Sequence, residues 1–207
     1  RRARVSSLHQ WVWAVLLLAV GALVGIAIYA QSRRVPLPVL GQWQSFTLTN
    51  HLGEAVGPQT FQGQVVIANV IFSRCPTQCH QLSLQMSRLQ SRVGEGVRLL
   101  SLTADPLYDS PEILTQYGRR YGTDPARWWF LTGPKSEVYR VAEKDLLFTV
   151  LDTGEPNPKL EERFIHSGNY VVLDRQGRLR AVVQGEDPDA ERSLARLAQQ
   201  LSRETAL

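Results

Sequence analysis

The feature that most constrains this chain is an apolar run that leads into a pair of cysteines. Residues Val65 to Phe72 are almost all apolar, which is typical of a strand buried on both faces of a sheet. Shortly after it comes Cys75-Pro76-Thr77-Gln78-Cys79, which holds the only two cysteines among 207 residues. Apolar residues then recur at helical spacing, at Leu82, Met86, Leu89 and Val93. The sequence therefore places two thiols where a buried strand gives way to an amphipathic helix.

This position suits thiol chemistry. A helix N-terminus carries partial positive charge and unpaired N–H groups, both of which favour a thiolate over a thiol. Pro76 fits the first helical position, so we expect Cys75 to cap the helix and Cys79 to lie one turn further along the same face. Such a pair can form a disulfide, attack another disulfide or bind a soft metal ion. The alternative is a purely structural disulfide.

The N-terminal region predicts a membrane anchor. Residues 11–30 contain no charged side chain, and 20 residues at about 1.5 Å each span a bilayer. Trp11, Trp13 and Tyr29 lie near the ends of this span, as interfacial aromatic residues do. A cleaved signal peptide is the alternative, although its apolar region is normally about 7–15 residues long. We therefore predict a basic flank and single anchor over 1–34, a linker over 35–44 and one domain over 45–207.

The charge distribution argues against a nucleic-acid partner. The whole chain carries a formal charge of +4. Five of its 23 basic residues precede residue 35, where there is no acidic residue, so the rest has 18 basic and 19 acidic side chains. The basic excess therefore flanks the predicted anchor, and no basic stripe remains to follow a phosphate backbone.

The order of predicted elements gives the fold class. Strands alternate with helices and are followed by a hairpin and a final helix, which predicts a mixed α/β sheet with helices on both faces. The predicted strands are 65–72, 97–103, 128–131, 170–174 and 179–183, and helices end near 93, 121, 144 and 202. Ser110 followed by Pro111 predicts the start of the second helix, with Ser110 as its N-cap. This is the order of a thioredoxin-like fold, in which the loop before the hairpin passes over the active cysteines. In this chain that loop carries His166.

Cys75, Cys79 and His166 together offer two sulfur ligands and one imidazole. Thiolates select Cu(I), and imidazole also suits Cu(II). Zinc could use the same atoms, although a closed zinc site normally has four ligands at tighter spacings. An ordinary loop histidine is the alternative for His166.

The chain resembles the SCO/SenC family of membrane-anchored copper-binding proteins. Four segments in the right order carry the resemblance: 61–64, 72–79, 102–111 and 166–174. The resemblance implies a thioredoxin-like domain on the periplasmic side of the inner membrane, or in the mitochondrial intermembrane space. It also implies copper binding and a role in assembling the binuclear copper centre of cytochrome c oxidase. The expected partners are the copper-bearing subunit of that oxidase and a copper donor protein.

Carried over position by position, the resemblance implies that the copper ligands are Cys75, Cys79 and His166. Asp105 matches an aspartate of the family and is a candidate to support the ligands from a second layer. The chain departs from the family pattern at three positions: Thr77 replaces an acid, His80 replaces a proline, and Ile165 replaces an aspartate. His80 follows Cys79 by about 100° around a helix, so we expect its ring to point away from the thiols.

Two functions of different classes follow. The first is a copper metallochaperone, and the second is a membrane-anchored thiol–disulfide oxidoreductase in which Cys75 attacks and Cys79 resolves. The chain lacks the Cys-X-X-Cys spacing of thioredoxins, which counts against the second function. A peroxidase is a third alternative, but Phe72 stands three positions before Cys75, where that class has Thr or Ser. The first two are compatible, because a protein that reduces its client's cysteines can also deliver copper to them.

Overall fold

The computed structural model describes residues 3–32, 36–75, 77–153, 164–166 and 168–204. Their side chains are described as well, except for residues 3–8, 27–32 and 164–166. The chain divides into two compact units, an N-terminal unit Arg1–Leu37 and a C-terminal unit Pro38–Leu207.

The N-terminal unit is a single helix, α1 (Ala3–Ser32). Its segment His9–Ile26 is long and apolar enough to cross a membrane, and its side chains are exposed. This finding confirms the predicted apolar helix and fits a single-pass anchor. A signal sequence near the N-terminus can meet the same test of length and composition, so retention of the helix stays a prediction.

The part of the C-terminal unit that the structure describes contains ten strands. In chain order they are β1 (Gly41–Gln42), β2 (Leu48–Asn50), β3 (Ala55–Val56), β4 (Val65–Ile71), β5 (Val97–Thr103), β6 (Trp128–Thr132), β7 (Val150–Asp152), β8 (Phe164–His166), β9 (Asn169–Leu173) and β10 (Arg178–Gln184). Eight of them form one sheet in the order β1-β10-β9-β4-β5-β6-β2-β3, and β7 pairs with β8 separately. The strands β4, β5 and β6 are parallel and the other pairs are antiparallel, so the predicted mixed sheet is confirmed.

Four further helices lie in the described residues of this unit. They are α2 (Gln78–Leu89), α3 (Pro111–Arg120), α4 (Lys135–Arg140) and α5 (Ala190–Arg203), and a π-helical segment, Val141–Asp145, extends α4. A 3₁₀ helix covers Pro58–Phe61. Ser110 caps α3 as its sequence predicts, since its side chain accepts a hydrogen bond from the N–H of Ile113.

Helices and turns cover both faces of the sheet. Successive residues of a strand point to opposite faces. Phe130 contacts Tyr117 of α3, whereas its neighbour Trp129 contacts Phe61 of the 3₁₀ helix. The helices α2, α3 and α5 share the first face, because Ser83 bonds to Tyr117 and α2 also contacts α5.

Strand β4 is the centre of the fold. It pairs in parallel with β5 along its whole length and antiparallel with β9 on its other side. All seven of its residues are buried, as the apolar run predicts. Because β4 leads into the cysteine segment, its pairing on both sides fixes where the chain leaves the sheet.

Two boundaries differ from the sequence-based predictions. The helix begins at Gln78 with Thr77 in the N-cap position, so the prediction that Cys75 caps it is wrong. Cys75 instead lies in a turn, its N–H bonded to the carbonyl of Phe72. The predicted linker extends too far, because Gly41–Gln42 pairs with β10 and Trp43 is buried against Phe61.

Gly177 gives a direct test of the packing between Trp43 and the β9–β10 turn. Its φ is +73°, and an added Cβ would lie 2.2 Å from Nε1 of Trp43. We expect Gly177→Ala to lower the free energy of unfolding by about 1–3 kcal/mol through backbone strain alone, and by more if the ring must move. Urea unfolding of the full chain in detergent, followed by tryptophan fluorescence, measures the change.

The matched control is Gly94→Ala. An added Cβ there meets nothing within 4 Å, and its φ lies outside the left-handed region. We expect this change to alter the free energy of unfolding by less than about 1 kcal/mol. Equal effects of the two substitutions would contradict the described packing of Trp43.

Candidate metal and thiol site

The two cysteines lie side by side at the junction of β4 and α2. Neither is part of a disulfide. The N–H of Cys79 donates to Sγ of Cys75 over 3.4 Å, and Sγ of Cys79 accepts from the N–H of Phe72 over 3.4 Å. The end of the central strand and the first turn of α2 therefore hold both sulfur atoms in one small region.

The two thiols differ in exposure. Cys79 is fully buried, whereas Cys75 is half-buried and borders a surface cavity. Burial raises the pKa of the Cys79 thiol far above its ordinary value, and a hydrogen bond with Cys75 raises that pKa further. The sulfur of Cys75 is therefore the more accessible of the two from solvent.

A buried carboxylate fixes the turn between β4 and the cysteines. Oδ2 of Asp109 accepts hydrogen bonds from the N–H of Ser73 (3.1 Å) and from the hydroxyl of Thr103 (2.5 Å). Its other oxygen accepts a short hydrogen bond from the hydroxyl of Ser73. Burial raises the pKa of Asp109, and the hydrogen bonds from Ser73 and Thr103 oppose that rise. The carboxylate thus ties together the ends of β4 and β5.

Asp105 lies at the edge of the same site. Its carboxylate accepts from Nη2 of Arg74 over 2.5 Å, and the guanidinium of Arg74 stacks 3.9 Å from the ring centroid of Tyr108. The backbone carbonyl of Asp105 also accepts from the N–H groups of Tyr108 and Asp109. Asp105 therefore closes its own turn and reaches the cysteine segment through Arg74, the neighbour of Cys75.

The backbone of His166 is described, but its side chain lies outside the described residues. His166 is the last residue of β8 and pairs with Val150 of β7, so it lies at the end of a strand and not within the predicted loop. Two residues later, Gly168 packs so closely on α2 that an added Cβ would lie 2.4 Å from Nε2 of Gln78. Its carbonyl also accepts from the N–H of Gly185 over 2.9 Å. The chain just after His166 therefore passes beside the residue that precedes Cys79.

His80 occupies a different surface of α2. Its Nδ1 lies 3.1 Å from the hydroxyl of Tyr121, and the side chain is exposed. Cys79, one position earlier, points into the core. This geometry agrees with the expectation that His80 points away from the thiols.

Sequence reasoning missed two residues of this site. Asp109 lies within the segment 102–111 that carries the family resemblance, but the sequence gives no sign that its carboxylate ties β4 to β5. Tyr117 was not identified at all; its buried hydroxyl lies 2.7 Å from that of Ser83 and also bonds to the carbonyl of Cys79 over 3.4 Å. Burial raises the pKa of Tyr117, so the phenol stays neutral. No local motif marks Tyr117, because its contacts exist only in the folded chain.

The family model described as SCO1/SenC matches residues 41–202, which is most of the chain. The chain belongs to the SCO1/SenC family. This confirms the resemblance found in the sequence, and the matched range covers all of β1 to β10.

Individual relatives agree with this assignment. The SCO1 protein homologue of Bacillus subtilis is 28% identical over 146 residues, which cover 69% of this chain and 73% of that protein. The structure of BsSco has a TM-score of 0.71 at 23% identity and covers 84% of this chain and 100% of its own. The copper-bound structure of Bradyrhizobium japonicum ScoI has a TM-score of 0.64 at 19% identity, with 76% and 98% covered. The two structures confirm the predicted SCO/SenC fold class.

The difference in burial predicts different rates of alkylation. In Cys79→Ser, which leaves Cys75, iodoacetamide should react at pH 8 at least about ten times faster than in Cys75→Ser, since each unit of raised pKa cuts the thiolate population about tenfold. The reaction of Cys79 should keep accelerating above pH 9, because a raised pKa delays ionisation to higher pH. Mass spectrometry of quenched samples gives both rates.

Denaturant supplies the control for this comparison. In guanidinium chloride the two variants should react at similar rates, because both thiols are then solvated. Faster alkylation of Cys79 than of Cys75 in the folded chain would contradict the described burial.

Proposed function

We propose that this SCO1/SenC protein binds copper through Cys75, Cys79 and His166 and helps to assemble the copper centre of a respiratory cytochrome oxidase. The observation that carries the proposal is the pair of adjacent thiols held at the end of β4. Soft thiolates at this spacing suit Cu(I), which an imidazole can bind as a third ligand.

The structure supports the proposed ligands in two ways. Direct contacts hold the two thiols together, and the course of the backbone brings the segment of His166 near them. Among the side chains that the structure describes, no three His, Cys, Asp or Glu residues cluster to hold a metal ion. A third ligand to copper would therefore come from a side chain outside the described ones. His166 is the candidate, because Gly168 packs against Gln78 only two residues further along the chain.

Two solved relatives support the copper role. Bradyrhizobium japonicum ScoI has a structure with copper bound. BsSco belongs to the Sco family of cytochrome c oxidase assembly proteins, and a disulfide switch has been identified in it. The pair of thiols in this chain offers chemistry of both kinds, because thiolates bind copper and two thiols can form a disulfide.

The location and partners are part of the same proposal. The helix α1 would anchor the protein in the inner membrane, with the C-terminal unit on the periplasmic side. The client would be the copper-bearing subunit of a cytochrome oxidase, and a separate donor protein would supply the copper. Asp105 would support the site through Arg74 rather than by binding the metal.

A second function, thiol–disulfide exchange, is favoured by the unequal burial of the thiols. The Cys75 thiolate would attack a client disulfide, form a mixed disulfide and release one client sulfur as a thiolate. Cys79 would then lose its proton, attack Sγ of Cys75 and release the other client sulfur, which leaves a Cys75–Cys79 disulfide. The client disulfide gains two electrons and the dithiol loses two.

Copper titration tests the proposed ligands. The reduced chain should bind about one Cu(I), and the oxidised chain should bind almost none, because a disulfide removes both thiolates. His166→Ala should weaken the affinity by about 10–100-fold, as is typical when the ligand shell of a metal site is disturbed. Competition with a Cu(I) chelator measures each affinity.

His80→Ala is the matched control, because it removes the other histidine near the thiols. We expect a much smaller effect, since His80 contacts Tyr121 on another surface of α2. If His80→Ala abolishes binding and His166→Ala does not, the ligand assignment is wrong. A reduced chain that binds no copper but exchanges disulfides readily would favour the second function.

A further inference from the structure

A cavity opens beside the more exposed thiol, on the side of α3. Its lining includes Cys75, Arg74 and Tyr108 from the turns near the sheet, and Gln116, Tyr117 and Arg120 from α3. The α3 residues recur at helical spacing, so one face of this helix forms a wall of the cavity. We call this surface the Cys75 cavity.

The charge of the Cys75 cavity is positive. Two of its described lining residues are arginines, and none of them is acidic. The charge of Arg74 is partly balanced by Asp105, which is buried behind it. Arg120 is exposed in the last turn of α3 and has no ion pair among the residues that the structure describes. A guanidinium without a countercharge therefore stands at the approach to a reactive sulfur.

The rim of this cavity also offers apolar contact. Leu107 is 77% exposed and Tyr108 is 44% exposed, and both belong to the turn that stacks on Arg74. Aromatic and arginine side chains are the types most enriched where proteins bind one another. A small-molecule anion would use the arginines alone, whereas a peptide segment can use the arginines and this apolar rim together.

We propose that the Cys75 cavity recognises a partner-protein segment in which acidic side chains flank a cysteine. The inference deepens the proposed function, on which it rests, by naming the chemistry of the client surface that meets Cys75. The partner's carboxylates pair with Arg120 and Arg74, and this pairing brings the partner sulfur to Cys75 rather than to the buried Cys79. Opposite charge increases the rate of encounter and excludes basic segments.

Two synthetic peptides test this proposal without copper. Each has one cysteine activated as the 2-pyridyl disulfide; two glutamates flank it in one peptide and two lysines in the other. The Cys75 thiolate attacks the peptide sulfur, the peptide–pyridyl S–S bond breaks, and pyridine-2-thiolate leaves with the electron pair. Absorbance of the released pyridine-2-thione, with the reduced full chain in detergent, gives the rate.

We expect the acidic peptide to react about three- to tenfold faster than the basic one at low salt, and the preference should shrink as salt is added. Arg120→Gln should remove most of this preference, whereas Arg120→Lys should keep most of it. The matched control is Arg119→Gln, which removes the same charge from the neighbouring position of α3 but lies outside the cavity lining. This control should leave the preference nearly unchanged.

Equal rates for the two peptides would overturn the proposal, and so would equal effects of Arg119→Gln and Arg120→Gln. Either result leaves copper binding by the same chain untouched, so the copper titration separates failure of this surface from failure of the metal site. Circular dichroism of each variant confirms that the fold is retained, as expected for changes at two exposed arginines.

Discussion

The position of both thiols depends on how the central strand ends. Strand β4 is paired on both sides and buried along its length, so the chain leaves the sheet at a fixed point. Asp109 then holds Ser73, the second residue after the strand, through both the N–H and the hydroxyl of that serine. The N–H of Phe72 bonds to Sγ of Cys79. The backbone that follows β4 thus orients the cysteines, and the first turn of α2 adds only the contact between Cys79 and Cys75.

This construction makes the two cysteines chemically unequal. Burial stabilises the neutral thiol of Cys79, while Cys75 faces the cavity lined by Arg74 and Arg120. In a pair of this kind, one sulfur atom is accessible to a partner while the second stays buried. The same arrangement would serve both proposed functions, copper transfer and disulfide exchange, because each would begin with one accessible thiolate and end with both sulfur atoms engaged.

Much of this fold could be predicted because its signals are local. The uninterrupted apolar run of β4 and the Ser110 cap each depend on a few neighbouring residues, and both are confirmed. The start of α2 could not be predicted in this way. The bonds from Phe72 and Ser73 to distant partners hold Cys75 in a turn, and the helix begins only at Gln78.

Only some residues of the candidate site could likewise be predicted from the sequence. The spacing of the cysteines was enough to predict that both belong to the site. The role of Asp109 depends on its hydrogen bond with Ser73, which is 36 residues away in sequence. The contact of Trp43 with Phe61 similarly joins segments that no periodicity connects, which is why β1 was assigned to a linker. Such contacts arise from tertiary packing, and a single sequence gives no signal for them.

The most direct test of the central claim is X-ray absorption spectroscopy of the full chain, reduced and loaded with one equivalent of Cu(I). We expect two sulfur ligands and one imidazole nitrogen in the first coordination shell, with the imidazole signal lost in His166→Ala and kept in His80→Ala. A copper ion bound only by nitrogen and oxygen, or an unchanged imidazole signal in His166→Ala, would contradict this claim.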